Sequence, residues 1–208
     1  MILHICGNLA AGKTTTAFDL QPHLHWPVVP VGRIRAICHD ESLVWYVVER
    51  LWQVWDTPSM TPGRSGIWVS TGLNWNERRI LSLAPPRYLR RVWLTAPPDI
   101  LRMRLAQRGS PAPSFWPYQE SWENLQEELM EYDTSAQSLP WPVDRQFNTY
   151  QKDVDTITKE IIDMVLEPWH GQAQPQTRES FASWQELLAD LPVYSMILGA
   201  RQTPQWLQ

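Results

Sequence analysis

Only two of the 208 residues are cysteine, Cys6 and Cys38. Neither belongs to a C-x-x-C pair or lies near a histidine at zinc spacing, so no disulfide framework and no structural zinc site is expected, and a reduced compartment fits best. No run of about 18 apolar residues occurs, which gives no membrane span. The N-terminal apolar stretch lacks a basic start and is interrupted by Gly12-Lys13, so no signal peptide is expected either. A cytoplasmic protein without membrane contact is therefore expected. Positive charge is also scarce: 18 Lys and Arg stand against 22 Asp and Glu, a formal net charge of -4. That balance provides no general attraction for a polynucleotide, which is therefore not favoured as a partner, although a local basic groove stays open. There is no internal repeat, and the length suits one substantial core with a small extension.

Against these absences stands Gly7-Asn8-Leu9-Ala10-Ala11-Gly12-Lys13-Thr14. Two glycines, a lysine and a threonine at this spacing make a phosphate cradle. Backbone N–H groups line the loop, Lys13 reaches the outer phosphates, and the Thr14 hydroxyl can ligate Mg²⁺. The setting agrees: Ile2 to Cys6 is a short, mostly apolar run that predicts a strand, and Thr14 to Leu24 reads as the start of a helix. The positive end of that helix dipole adds to the site.

Downstream, strands and helices alternate. Pro22 and Pro27 are expected to break the chain before a short strand, Val28 to Val31, that ends at Gly32, and Pro30 suits an edge-like stretch. A helix starting at His39 or Asp40 and reaching about Trp55 is predicted by Val44, Val48, Leu51, Trp52 and Trp55. Strands follow at Ile67–Ser70, Leu89–Leu94 and Val143–Phe147, with helices at about Asn76–Leu83, Ile100–Arg108, Gln119–Tyr132 and Val154–Leu166. The segment from Gly109 to Pro117 reads as a mobile loop. Alternation of this kind predicts a parallel sheet covered on both faces, with ligands beyond the carboxyl ends of the strands. Glu167 to Ser180 reads as a linker. After it, Phe181, Trp184, Leu187, Leu188 and Leu191 form an apolar stripe that must meet the core, a protein partner or a second copy. Thirteen tryptophans are spread from Trp26 to Trp206; most should be core or pocket wall, while some are available to stack on a base or sugar.

The order of phosphate loop, glycine-containing turn after strand two, strand four with a proline-led helix carrying spaced arginines, and Asn148-Thr149 after strand five resembles the P-loop nucleoside, nucleotide and polynucleotide kinase-like family. The resemblance covers about residues 1–166, with a lid at about 99–118, and leaves 167–208 as linker and C-terminal helical extension. It implies a three-layer αβα P-loop NTPase fold with a mostly parallel five-stranded sheet and a helical lid. It also implies ATP-dependent phosphoryl transfer with Mg²⁺, ATP being preferred to GTP, to a small-molecule or nucleotide acceptor. Gly7, Asn8, Leu9, Ala10, Ala11, Gly12, Lys13, Thr14 and Thr15 would surround the phosphates, with Thr14 as the metal ligand. Lys13, Arg104 and Arg108 would stabilise charge on the transferring group. Gly32, Arg33 and Arg35 would meet the acceptor, and Asn148 and Thr149 would lie beside the base.

Each of these has a plainer alternative. Arg104 and Arg108 sit four apart, as on any solvated helix face, and Arg33 or Arg35 can be a surface charge. Asn148-Thr149 can be an ordinary turn. Asp40 is the nearest candidate for a general base, yet it also suits a helix cap, worth about 1 kcal/mol. The third strand ends in Ser70-Thr71-Gly72 without the Asp that many relatives of this kind place near Mg²⁺. Ser70, Thr71 or Asp40 would have to substitute. That departure keeps a second class open, a nucleotide-dependent interaction protein with little transfer. A switch GTPase has less support because neither D-x-x-G nor N-K-x-D occurs.

Overall fold

The computed structural model describes residues 1–38, 41–56, 65–72, 77, 79, 89–107 and 142–167. Its centre is β1, Ile2–Gly7, buried at every position. Around it lie β2 (Val28–Pro30), β3 (Gly66–Val69), β4 (Leu89–Thr95) and β5 (Arg145–Asn148), all parallel, in the order β2-β3-β1-β4-β5. The helices are α1 (Lys13–Leu24), α2 (Val31–Cys38), α3 (Glu41–Asp56), α4 (Pro98–Gln107) and α5 (Val154–Leu166). This is the expected αβα architecture with a five-stranded parallel sheet.

Side chains alternate across the sheet, so each strand feeds two faces. On one face Leu3, Ile5, Ile67, Val92, Leu94 and Phe147 meet apolar residues of α1 and α5 in a single core cluster. In α5 the four-residue spacing of Ile157, Ile161 and Val165 explains why all three are buried. The opposite face is unusual in composition. His4, Cys6, Trp68, Arg91 and Trp93 are all buried there, so polar and indole groups stand where the first face has aliphatic ones.

Element ends show where local signals were overruled. Pro22 does not break the chain: it lies inside α1, which continues to Leu24 and closes with His25 in a left-handed conformation donating to Gln21 O at 2.8 Å. So close to the helix end, proline removes one backbone hydrogen bond and little more. Strand two stops at Pro30, at the sheet edge as that proline suggested. Gly32, Arg33, Ile34 and Arg35 then belong to helix α2, not to a turn after the strand. Val31 and Ile34, three apart and both buried, anchor α2 to the body.

At α5 the sequence reading was met in full, and Asp153 caps the helix by accepting from Thr156 N at 2.8 Å. Of the helix expected at Asn76–Leu83, Glu77 and Arg79 are described, and both are helical. Asp40, Arg108, the rest of the lid to residue 118, the helix expected at 119–132 and the apolar stripe at 181–191 lie outside the described residues. Among the described residues no helix is long and apolar enough to cross a membrane.

Candidate functional site

β1 delivers the chain into the phosphate loop at Gly7. Only glycine fits: φ is 141°, and an added Cβ would lie 2.0 Å from Leu94 O on the neighbouring strand. Asn8, fully buried, turns the loop by accepting from Leu9 N at 2.7 Å through Oδ1. Ala10 and Gly12 both take left-handed conformations, φ 58° and 89°. Alternation of that kind points successive N–H groups into one concavity, which is the geometry of an anion nest. No side chain caps the start of α1 at Gly12, so the helix N-terminus presents its amides and its dipole to the same concavity. The Lys13 ammonium lies over the loop, donating to Gly7 O at 2.9 Å and Asn8 O at 2.6 Å. Backbone shape and lysine together fit a bound polyphosphate. Thr14 follows on the first turn of α1, half-buried, and Thr15 is exposed.

Beside the loop is a cavity of about 390 Å³, walled by Gly12, Thr15 and Thr16 of the loop and α1, Arg104 of α4, Thr149, and Ile157 of α5. Arg104 spans it. Its guanidinium donates to Thr149 Oγ1 at 2.8 Å, Thr149 O at 3.0 Å and Ala10 O at 3.3 Å. Thr149 is itself fixed to the sheet, its N–H donating to Thr95 O at 2.8 Å. Of the pair expected beside the base, Thr149 lines this cavity, whereas the Asn148 carboxamide closes its own turn by accepting from Tyr150 N at 3.0 Å. Gly32 lies in α2 with Arg33 and Arg35, and each arginine rests on an aromatic ring: Arg33 over Phe18 at 4.7 Å and Arg35 over Trp45 at 5.9 Å.

One residue of the site was missed in the sequence. Glu77 is almost fully buried and accepts hydrogen bonds from Trp68 Nε1 and Gly72 N, both at 3.2 Å. His4 Nε2 lies 3.4 Å from Glu77 Oε1 and 2.8 Å from Ser70 Oγ. Burial pushes the Glu77 carboxyl up, but His4, Ser70 and Trp68 outweigh it and hold the group below its ordinary 4.5, hence ionised. The same carboxylate raises its neighbour Cys6, whose thiol is pushed up to about 12, chiefly by burial, and donates to Val92 O at 3.3 Å. A histidine in the middle of a buried strand was the available signal, since such a group needs a partner. Among the described residues no group of three or more His, Cys, Asp or Glu could hold a metal ion.

No protein-family model and no curated protein sequence matches the chain. Solved structures do. A shikimate kinase from Bacteroides thetaiotaomicron is similar with a TM-score of 0.54 at 14% identity, over 80% of this chain and 98% of that one. A shikimate kinase from Acinetobacter baumannii, in complex with shikimate, gives 0.53 at 15%, over 80% and 93%. A gluconokinase from Sinorhizobium meliloti 1021 gives 0.52 at 15%, over 82% and 96%. The fold is therefore that of the P-loop kinases. At such identities the likeness concerns the fold alone.

Proposed function

We propose that this protein is a small-molecule kinase that binds ATP with Mg²⁺ at Gly7 to Thr15 and moves the γ-phosphate to a hydroxyl or phosphate acceptor. The observation that carries the proposal is the nest at Ala10 and Gly12 with the Lys13 ammonium over it. In this reading the loop amides bind the phosphate oxygens, and Lys13 stabilises the charge that gathers on them during transfer. Mg²⁺, when bound, draws further charge from the phosphates, and Thr14 is the residue to hold it. The cavity next to the loop is of a size to take a nucleotide base, with Thr149 on its wall. Arg104, tied to Ala10 and Thr149, then holds the base end of the site as well as the loop.

Gly32, Arg33, Arg35 and Asp40 are the residues proposed to meet the acceptor. Arg33, whose guanidinium lies over the Phe18 ring, is of a type that grips an anionic group with two N–H donors at once. Names of the fold neighbours, shikimate kinase and gluconokinase, support a small hydroxylated acceptor over a polymer. Asp40 is proposed to orient and deprotonate the acceptor hydroxyl.

The test is incubation with ATP, Mg²⁺ and pools of hydroxylated acids, sugars, nucleosides and nucleotides, with products read by mass spectrometry against a Lys13→Ala control. One observation favours a second reading: β3 runs into Ser70-Thr71-Gly72, and the carboxylate that meets this segment, Glu77, is buried in hydrogen bonds. Tight ATP binding without any transfer would support a nucleotide-dependent interaction protein instead.

A further inference from the structure

We infer that Glu77 is a positioning residue for the phosphate loop: by holding Gly72 N it fixes the carboxyl end of β3 against Gly7, where the loop begins. The inference rests on the nucleotide-binding reading of that loop. Glu77 does not touch the loop, and its influence runs through the backbone of residues 70–72.

Three contacts define the junction. Ser70 N donates to Ile5 O at 3.2 Å, which continues the β1–β3 pairing by one residue. Gly7 N then donates to Thr71 O at 3.4 Å, near the upper limit for such a bond. Gly72 packs directly on β1: its φ is 79°, and an added Cβ would lie 2.9 Å from Cys6 Cβ and 3.7 Å from His4 Cε1. The backbone after β3 therefore crosses β1 one residue before the phosphate loop, in a left-handed conformation that only a glycine adopts without strain. What holds it there is Glu77 Oε2, at 3.2 Å from Gly72 N.

On its other side Gly7 has no freedom, because Leu94 O occupies the place of its missing Cβ. β4 thus fixes one flank of Gly7 and Thr71 the other. Among the described residues, the Ser70–Ile5 bond holds the segment before Thr71 and the Gly72–Glu77 contact the residue after it. A buried carboxylate needs compensation for the water it gives up, and Glu77 finds it in Trp68, Gly72 and His4. These donors, and Ser70 which also favours the ionised carboxylate, belong to β1 or to the β3 segment. The carboxylate therefore joins the strand that enters the phosphate loop to the strand end beside it.

The experiment compares wild type and Glu77→Gln for binding of three probes by titration calorimetry: Mg²⁺ with ATP, Mg²⁺ with tripolyphosphate, and adenosine. Glutamine keeps the size but replaces one oxygen by an NH₂ that cannot accept, so it no longer serves Gly72 N on one side and Trp68 Nε1 and His4 Nε2 on the other. A positioning role predicts that tripolyphosphate and ATP bind about tenfold more weakly, while adenosine, which touches only the cavity, changes less than about twofold. A general loss of structure would weaken all three alike, and unchanged tripolyphosphate binding would overturn the inference while leaving the nucleotide reading in place. Failure of the wild type to bind ATP or tripolyphosphate removes that reading, and the inference with it.

If Glu77→Gln does not fold, hydrogen exchange on the wild type decides. Binding and positioning are reciprocal, so tripolyphosphate must slow exchange of the Gly72 amide several-fold. Exchange at Gly72 that ignores the ligand contradicts the proposal.

Discussion

Arg104 and Thr149 lie 45 residues apart in sequence and share two hydrogen bonds, from one guanidinium to the hydroxyl and to the carbonyl of the same threonine. A third bond from that guanidinium reaches Ala10 in the phosphate loop. One side chain on α4 thus joins the loop after β1 to the loop after β5. Both loops leave the carboxyl ends of parallel strands, where ligands of such sheets bind.

Replacing Arg104 therefore separates two walls of one cavity. Arg104→Met is expected to weaken ATP binding about tenfold, or ~1.4 kcal/mol, and to weaken adenosine binding with it. Lys13→Ala should weaken ATP binding and leave adenosine untouched. Calorimetric titration of both ligands on both variants separates the base end of the site from the phosphate end, and an Arg104→Met protein that binds adenosine normally would place the base elsewhere.

Gly7 has no room for a side chain. Gly7→Ala puts a methyl group 2.0 Å from Leu94 O, so it should lower unfolding stability by more than about 3 kcal/mol or prevent folding. At Gly12 an added Cβ meets nothing nearer than Thr149 Cγ2 at 4.0 Å, and only the backbone conformation opposes the change. Gly12→Ala should therefore fold, with a smaller loss of about 1–2 kcal/mol and weakened phosphate binding. Urea denaturation of the two variants orders them, and equal losses would contradict the geometry of the loop.

Glu77 contributes to the response to acid. Its carboxyl is held below 4.5 in the fold, so its contribution is complete above that pH. As the pH falls further the unfolded chain takes up the proton first, and stability is lost until the folded carboxyl is protonated too. Wild type should therefore lose stability in acid more steeply than Glu77→Gln, and the gap between them should narrow below about pH 4.5. Urea midpoints measured from neutral pH into that window check the sign, and a gap that stays constant counts against an ionised, paired Glu77.

Cys6 should behave as an inert thiol. With its ionisation pushed up to about 12, it carries almost no thiolate at mildly alkaline pH. Iodoacetamide at about pH 8.5 should leave Cys6 unmodified in the folded protein and label it once the chain is unfolded. Peptide mapping reads the outcome. Rapid labelling in the native state would mean that the second face of the sheet is open.

The phosphate loop, the alternation of strands and helices and the limits of α5 were legible in the sequence because each is written in local spacing. Pro22 and Gly32 misled for a related reason, since both carry strong local signals that packing overruled. At Gly32 the chain continues as α2 because Val31 and Ile34 are buried together. For Glu77 the one signal was indirect, a histidine in a buried strand that needs a partner. The meaning of Glu77 lies in His4, Trp68 and Gly72, and only the pairing of β1 with β3 brings His4 to the same place. Arg104 shows an intermediate case: its type and helix were read from the sequence, but its partners come from two distant loops, after β1 and after β5.

The central claim is phosphoryl transfer at Lys13, and the most direct measurement is product formation from ATP and Mg²⁺ across acceptor classes, scored against Lys13→Ala. The account predicts a phosphorylated product whose rate falls by about a hundredfold or more in the variant. Tight ATP binding by the wild type, abolished by Lys13→Ala, with no product from any acceptor, would contradict it.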